Sequence, residues 1–159
     1  PAAILTALNR SFRMDNQNNL YFTAWYGVYR RPGRELVYAS GGHPPAILLG
    51  PTLKEPKEPV PIILLRTESP PVGCLDEAVY RSSVHAVPSG SRLLVFSDGV
   101  FEVSTKDQGQ WELSNFLPLL VEPSVPETPE IERLQRAVLQ VAVPGPLEDD
   151  FSLVALTFP

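Results

Sequence analysis

Apolar and polar positions follow two rhythms along this chain, and the change between them lays out its elements. Residues 2–14 set Ile4, Leu5, Leu8 and Phe12 at helical spacing, which predicts the end of an amphipathic helix. Asp15-Asn16-Gln17-Asn18-Asn19 closes it in a polar loop. Leu20 to Arg31 is rich in aromatic and β-branched residues and predicts a strand. Arg31-Pro32-Gly33-Arg34 is a tight turn, and Glu35 to Ser40 pairs back as a hairpin. Gly41-Gly42-His43-Pro44-Pro45 breaks that strand sharply, and Ala46-Ile47-Leu48-Leu49 resumes it. A solvent-facing Pro/Lys/Glu loop over residues 50–61 leads to the short strand Ile62-Ile63-Leu64-Leu65. Pro70-Pro71-Val72-Gly73-Cys74-Leu75 should lie irregularly against the body, and Val79 to Val87 alternates loosely, as a strand does.

The second half is organised around Leu93-Leu94-Val95-Phe96-Ser97-Asp98-Gly99-Val100. Four apolar residues in a row predict a strand buried on both faces, entered through Pro88-Ser89-Gly90. Ser-Asp-Gly then cuts the run and leaves a carboxylate at the strand's mouth. Residues 105–109 are a polar loop, and Leu113, Phe116, Leu117 and Leu120 predict a short helix stopped before Pro123. Thr128-Pro129 offers a hydroxyl cap and a first-turn proline to a helix with Ile131, Leu134, Val138 and Val141 on one face. Pro144-Gly145-Pro146 ends that helix, and residues 151–158 form a last strand. Helix, a run of antiparallel strands, two helices and a final strand predict an α+β fold. Its helices pack on a mostly antiparallel sheet or sandwich, without repeat or second domain.

Composition narrows the partners rather than the fold. A chain of 159 residues, 43% hydrophobic and 19% charged, suits one soluble globular domain with a real core. Apolar runs of five residues or fewer are far too short to span a membrane. No basic segment followed by an apolar stretch opens the chain, so no signal peptide is expected. The start at Pro1, already inside an apparent helix, suggests a cut domain. Net charge is −5 with Lys and Arg scattered, which leaves no footprint for nucleic acid. The single cysteine, Cys74, rules out an intrachain disulfide and suits a reducing, cytoplasmic setting. With no basic neighbour to activate it, Cys74 reads as a small packed or turn residue. The 18 prolines sit between apolar segments and punctuate strands.

Two acidic places stand at strand boundaries. Asp98 offers a hard oxygen ligand for Mg²⁺ or Mn²⁺, although Asp-Gly after a strand is also an ordinary turn. Glu148-Asp149-Asp150 precedes the last strand, and adjacent carboxylates point apart, so at most one should join Asp98. If the two strands lie side by side, Asp98 and Asp149 face one pocket. Glu102 is placed at the rim as a surface glutamate, His43 and His85 as structural histidines, and Trp25 and Trp111 as packing residues.

Four segments carry a resemblance, in one order along nearly the whole chain. They are Phe22-Thr23-Ala24-Trp25-Tyr26-Gly27-Val28, Tyr38-Ala39-Ser40-Gly41-Gly42-His43-Pro44-Pro45, Leu93 through Glu102, and Asp149-Asp150-Phe151-Ser152-Leu153. Together they resemble the SpoIIE/RsbU-type bacterial members of the metal-dependent (type 2C) serine/threonine phosphatases. The resemblance implies an α-β-β-α sandwich of antiparallel sheets flanked by helices, with a binuclear Mg²⁺/Mn²⁺ centre at one end. It implies that Asp98 and Asp149 are catalytic metal ligands and that Gly99 permits close backbone approach beside the metal. It implies hydrolysis of phosphoserine or phosphothreonine on a small regulatory protein, such as an anti-sigma-factor antagonist. The family's early Gly-Asp segment, whose Asp bridges both metals, has no counterpart before Asp98. Residues 1–159 therefore read as the C-terminal part of a single phosphatase domain, incomplete at its N-terminus. Exposed sheet edges would then invite a homodimer. The rival reading keeps the fold without hydrolysis, as a binding or sensing module.

Overall fold

Strand alternation decides which side of each sheet meets the other, and the computed structural model shows the outcome for residues 1–51, 59–107, 109–123 and 127–159. The chain runs through α1 (Ala2–Ser11), β1 (Ala24–Arg30), β2 (Glu35–Gly41), β3 (Ala46–Leu49), β4 (Ile62–Leu65) and β5 (Ser83–Ala86). It continues through β6 (Arg92–Phe96), β7 (Val103–Ser104), β8 (Gln110–Trp111), α2 (Leu113–Phe116), α3 (Glu130–Val141) and β9 (Leu153–Thr157). One antiparallel sheet has the order β1-β2-β5 and the other β4-β3-β6-β9.

Leu36 and Tyr38 of the first sheet meet Ala46, Leu48, Leu65 and Leu93 of the second in a buried layer between them. Trp25 stacks on Tyr38 with ring centroids 5.9 Å apart, and its indole N–H donates to the Leu65 carbonyl at 2.9 Å. The residues of opposite parity, Ile47, Leu49, Leu94 and Phe96, face away and pack against Phe116, Leu120, Leu134 and Val138. Each fully buried aliphatic side chain there contributes roughly 1.5–3 kcal/mol. On the far side Leu5 of α1 packs against Ala39, Val72 and Tyr80. The layers are helix, sheet, sheet, helix, as the α+β sandwich expectation has it. The strand at Leu93 is buried on both faces because helices cover one and a sheet the other.

Several boundaries differ from the sequence reading. α1 stops at Ser11 rather than residue 14, and the polar loop after it holds a 3-10 turn, Met14–Asn16. Asn18 and Asn19 follow at φ 52° and 62°, the left-handed region that Asn tolerates. The strand predicted from Leu20 begins at Ala24, because Phe22 finds only an isolated bridge to Val72. The strand predicted over 79–87 contracts to β5, whose pairing with β2 covers Ser83 to Ala86 alone. Thr128 does not cap α3: its first helical residue is Glu130, preceded by Pro129, with no side-chain cap bond. An ion pair from Arg92 to Glu130 ties that helix start to β6. The helix predicted over 113–120 is one turn, α2, that tightens into a 3-10 turn over Leu117–Val121. Most of the loop predicted over 50–61 lies outside the described residues.

Four strands of the sandwich keep an open side among the described residues: β1 and β5 pair only with β2, β4 only with β3, and β9 only with β6. Val154 and Leu156 sit opposite Val95 and Leu93, so they share the inner face of the second sheet. They are nonetheless 53% and 50% exposed. The sandwich is open beside β9.

Candidate functional site

The site starts from the pairing of β6 with β9. Phe96 lies opposite Leu153, so the strand that delivers Asp98 ends beside the strand that Asp149 and Asp150 enter. Beyond that pair the Ser97 amide donates to the Ser152 carbonyl at 3.0 Å. The Ser97 hydroxyl donates to the Asp150 carbonyl at 2.6 Å and accepts the Ser152 amide at 2.9 Å. One serine side chain thus stitches the two acidic segments together. Its position inside the Ser-Asp-Gly turn was legible, but its role depends on a partner more than fifty residues away.

Asp98–Val100 forms a single 3-10 turn, and the amides of Phe101 and Glu102 both donate to the Asp98 carbonyl at 2.8 Å. The Asp98 carboxylate is half-buried and accepts the Gly99 amide at 3.1 Å. The Asp149 carboxylate is exposed and accepts the Asp150 amide at 2.7 Å. In both cases one carboxylate oxygen braces its own turn. Gly99 is buried against the second motif: a Cβ there would lie 2.6 Å from the Asp150 carbonyl oxygen and 3.1 Å from that of Asp149. The two segments touch backbone to backbone, which puts Asp98 and Asp149 at one end of the sandwich. What Gly99 demonstrably accommodates is this peptide contact.

Asp150 contributes its backbone to that contact while its side chain is exposed. Glu148 is turned aside, its carboxylate accepting the Ser104 hydroxyl at 3.0 Å. Among the described residues no cluster of three or more His, Cys, Asp or Glu has metal-holding geometry. The donors present are two carboxylates and neighbouring backbone carbonyls. That is a hard-oxygen set, suited to Mg²⁺ or Mn²⁺ retaining several waters and too sparse to enclose an ion alone.

The remaining candidates lie where the sequence puts them. Cys74 is a free, half-buried thiol in the turn after Gly73. Trp111 packs edge-on to Phe116 at 6.4 Å, and Glu102 is exposed beside the Asp98 turn. His85 lies on β5 opposite Leu36. His43 is half-buried, with Nδ1 2.8 Å from the Pro44 carbonyl. No described helix is long and apolar enough to cross a membrane.

A family model described as Stage II sporulation protein E (SpoIIE) matches residues 1–159. The chain belongs to the SpoIIE family. Its curated relatives include the phosphoserine phosphatase RsbU of Bacillus subtilis, 24% identical over 157 residues that cover 98% of this chain and 44% of RsbU. The phosphoserine phosphatase RsbP of the same organism is 27% identical over 106 residues, 64% of this chain and 25% of RsbP. This SpoIIE-family chain thus spans less than half the length of either relative. The solved SiaA-PP2C domain of Pseudomonas aeruginosa superposes with a TM-score of 0.73 at 18% identity, covering all of this chain and 61% of that one. At that identity the likeness speaks to fold alone, and the fold is the PP2C sandwich. By family, the chain is of the SpoIIE/RsbU phosphatase type.

Proposed function

We propose that this chain carries the catalytic end of a metal-dependent phosphatase that removes phosphate from phosphoserine or phosphothreonine on a regulatory protein. The observation that carries the reading is the seating of Gly99 on the Asp149–Asp150 peptide, which brings two acidic strand ends together. Asp98 and Asp149 would hold Mg²⁺ or Mn²⁺, each through the oxygen not engaged by its own turn. Two divalent ions bound there would supply an acidified water as nucleophile and offset charge on the phosphoryl oxygens. RsbX, a structural neighbour at 14% identity and TM-score 0.61, was solved in complex with magnesium, which supports that choice of ion. Two carboxylates cannot enclose two ions, so waters and further oxygen ligands would have to complete the coordination. The substrate class follows RsbU and RsbP, both phosphoserine phosphatases, and a cytoplasmic setting is part of the same proposal.

One observation favours the non-catalytic reading: the described residues lack a three-ligand cluster. Mn²⁺-dependent hydrolysis of para-nitrophenyl phosphate separates the two. Asp98→Asn is expected to lower the rate about 10²–10³-fold, the loss typical of removing one electrostatic stabiliser. Asp149→Asn should weaken Mn²⁺ binding in calorimetry. Wild type and Asp98→Asn hydrolysing at the same rate would leave the binding module as the better account.

A further inference from the structure

A groove opens beside the Asp98 turn. Its volume is about 360 Å³, and Phe101, Glu102, Trp111, Glu112 and Leu113 line it. Clefts that bind ligands begin at roughly 300 Å³. Phe101 and Glu102 follow directly from the turn, their amides both donating to the Asp98 carbonyl at 2.8 Å. The other wall comes from the β7–β8 hairpin, where Trp111 pairs with Val103, and from the start of α2. Val103 is buried, and the Val143 amide donates to the Ser104 carbonyl at 2.9 Å, so the hairpin is fixed to the body. The groove therefore continues the Asp98 strand end as a preformed surface.

Its walls have a definite chemistry. Phe101, Trp111 and Leu113 supply apolar surface, and Glu102 and Glu112 supply two exposed carboxylates. Neither carboxylate joins an ion pair among the described residues. Lys106, the basic residue of the same hairpin, is turned elsewhere, its Nζ donating to the Gln140 carbonyl at 2.6 Å. An indole beside two carboxylates suits a cation, which the ring attracts electrostatically and the carboxylates pair with. An apolar occupant would cover the indole but desolvate both carboxylates without a partner. An extended peptide advances about 3.3–3.6 Å per residue. With phosphoserine at Asp98, its next two or three residues therefore reach the groove.

We propose that this groove selects phosphoserine segments carrying an arginine or lysine within three residues of the phosphoserine. The cation rests against Trp111 and pairs with Glu102 and Glu112. This preference rests on the phosphatase reading above and adds the sequence context of its substrate.

The test uses the native protein carrying this chain, with Mn²⁺ and phosphoserine peptides that differ at a single position. Arginine is placed one, two or three residues before or after the phosphoserine in an otherwise alanine background. One placement is expected to raise kcat/KM about tenfold over the alanine peptide, through KM, and glutamate there to lower it. Glu102→Gln combined with Glu112→Gln should erase that gain. The alanine peptide and para-nitrophenyl phosphate should keep their wild-type rates. The gain should also shrink as NaCl rises from about 0.05 to about 0.5 M, because salt screens exposed pairs. Arginine no better than alanine at every placement would overturn the proposal, as would a gain that survives the double substitution. Leucine outperforming arginine would make the groove apolar in its preference and overturn it too. Equal losses on every substrate would mean that the two glutamates serve the fold or the metal, with the same consequence. Failure of the underlying reading looks different, since Asp98→Asn would then hydrolyse every peptide as fast as wild type.

Discussion

Gly99 is the residue on which the candidate site closes. Its constraint is spatial: the missing Cβ leaves room for the Asp149–Asp150 peptide. Gly99→Ala forces that peptide or the Asp98 turn to move. The expected cost is about 1–3 kcal/mol from overpacking, with a loss of Mn²⁺-dependent hydrolysis larger than the loss of stability explains. Urea unfolding and initial rates on the same sample measure both, and an unchanged rate would show that the two segments need not touch. Tyr80 is a second residue with a definite expectation. Burial, and then the nearby Cys74, raise its hydroxyl above the usual 10.0. The folded state therefore holds this proton more tightly than the unfolded chain does. That stabilisation is complete below the unfolded value and is lost as pH rises through the raised folded one. Urea midpoints measured from about pH 9 to 11 should fall more steeply for wild type than for Tyr80→Phe.

At the scale of elements, α1 is held by one polar residue as much as by its apolar face. Asn9 is 3% exposed, and its Oδ1 accepts the Gly73 amide at 2.7 Å and the Tyr80 hydroxyl at 3.0 Å. Its Nδ2 donates to the Leu75 carbonyl at 2.8 Å. Asn9→Ala strands those partners in a buried place and should cost about 1–3 kcal/mol. A thermal melt that does not move would show that water replaces the side chain. The helical spacing of Ile4, Leu5, Leu8 and Phe12 gives the helix, but not which residue anchors it. Leu5 is fully buried whereas Ile4 and Phe12 are each 46% exposed. Thr128 shows the opposite limit. A good local capping pattern is passed over because α3 enters through Pro129 and is tied at Glu130 to Arg92.

At the scale of the whole molecule, the open flank beside β9 sets the expectation. Val154 and Leu156 belong to the face that elsewhere is covered by the opposite sheet, and β9 offers unpaired backbone next to them. A second copy of the chain pairing there would cover both. Sedimentation of the 159-residue chain should therefore show a dimer, and Leu156→Glu should shift it to monomer. A wild-type chain that sediments as a monomer at high concentration would leave that flank to a different partner.

The sequence by itself determined the longer elements and their order, because each rests on local periodicity and turn chemistry, whereas the two-residue strands β7 and β8 left no such signal. The buried strand at Leu93, the Gly41-to-Pro45 break and the helix around Leu134 and Val138 all follow from neighbours a few residues away. It also determined the acidic candidates, since Asp98 and Asp149 stand at strand ends that turn residues mark. Tertiary structure alone decided that β9 docks beside β6 and β3 on its other side. Nothing local encodes that choice, because it is settled by which apolar faces bury together once the chain collapses. The consequences of that docking were equally out of reach. The Ser97 link to Asp150 and Ser152 and the need for Gly99 to be bare are both contacts between residues far apart in the chain.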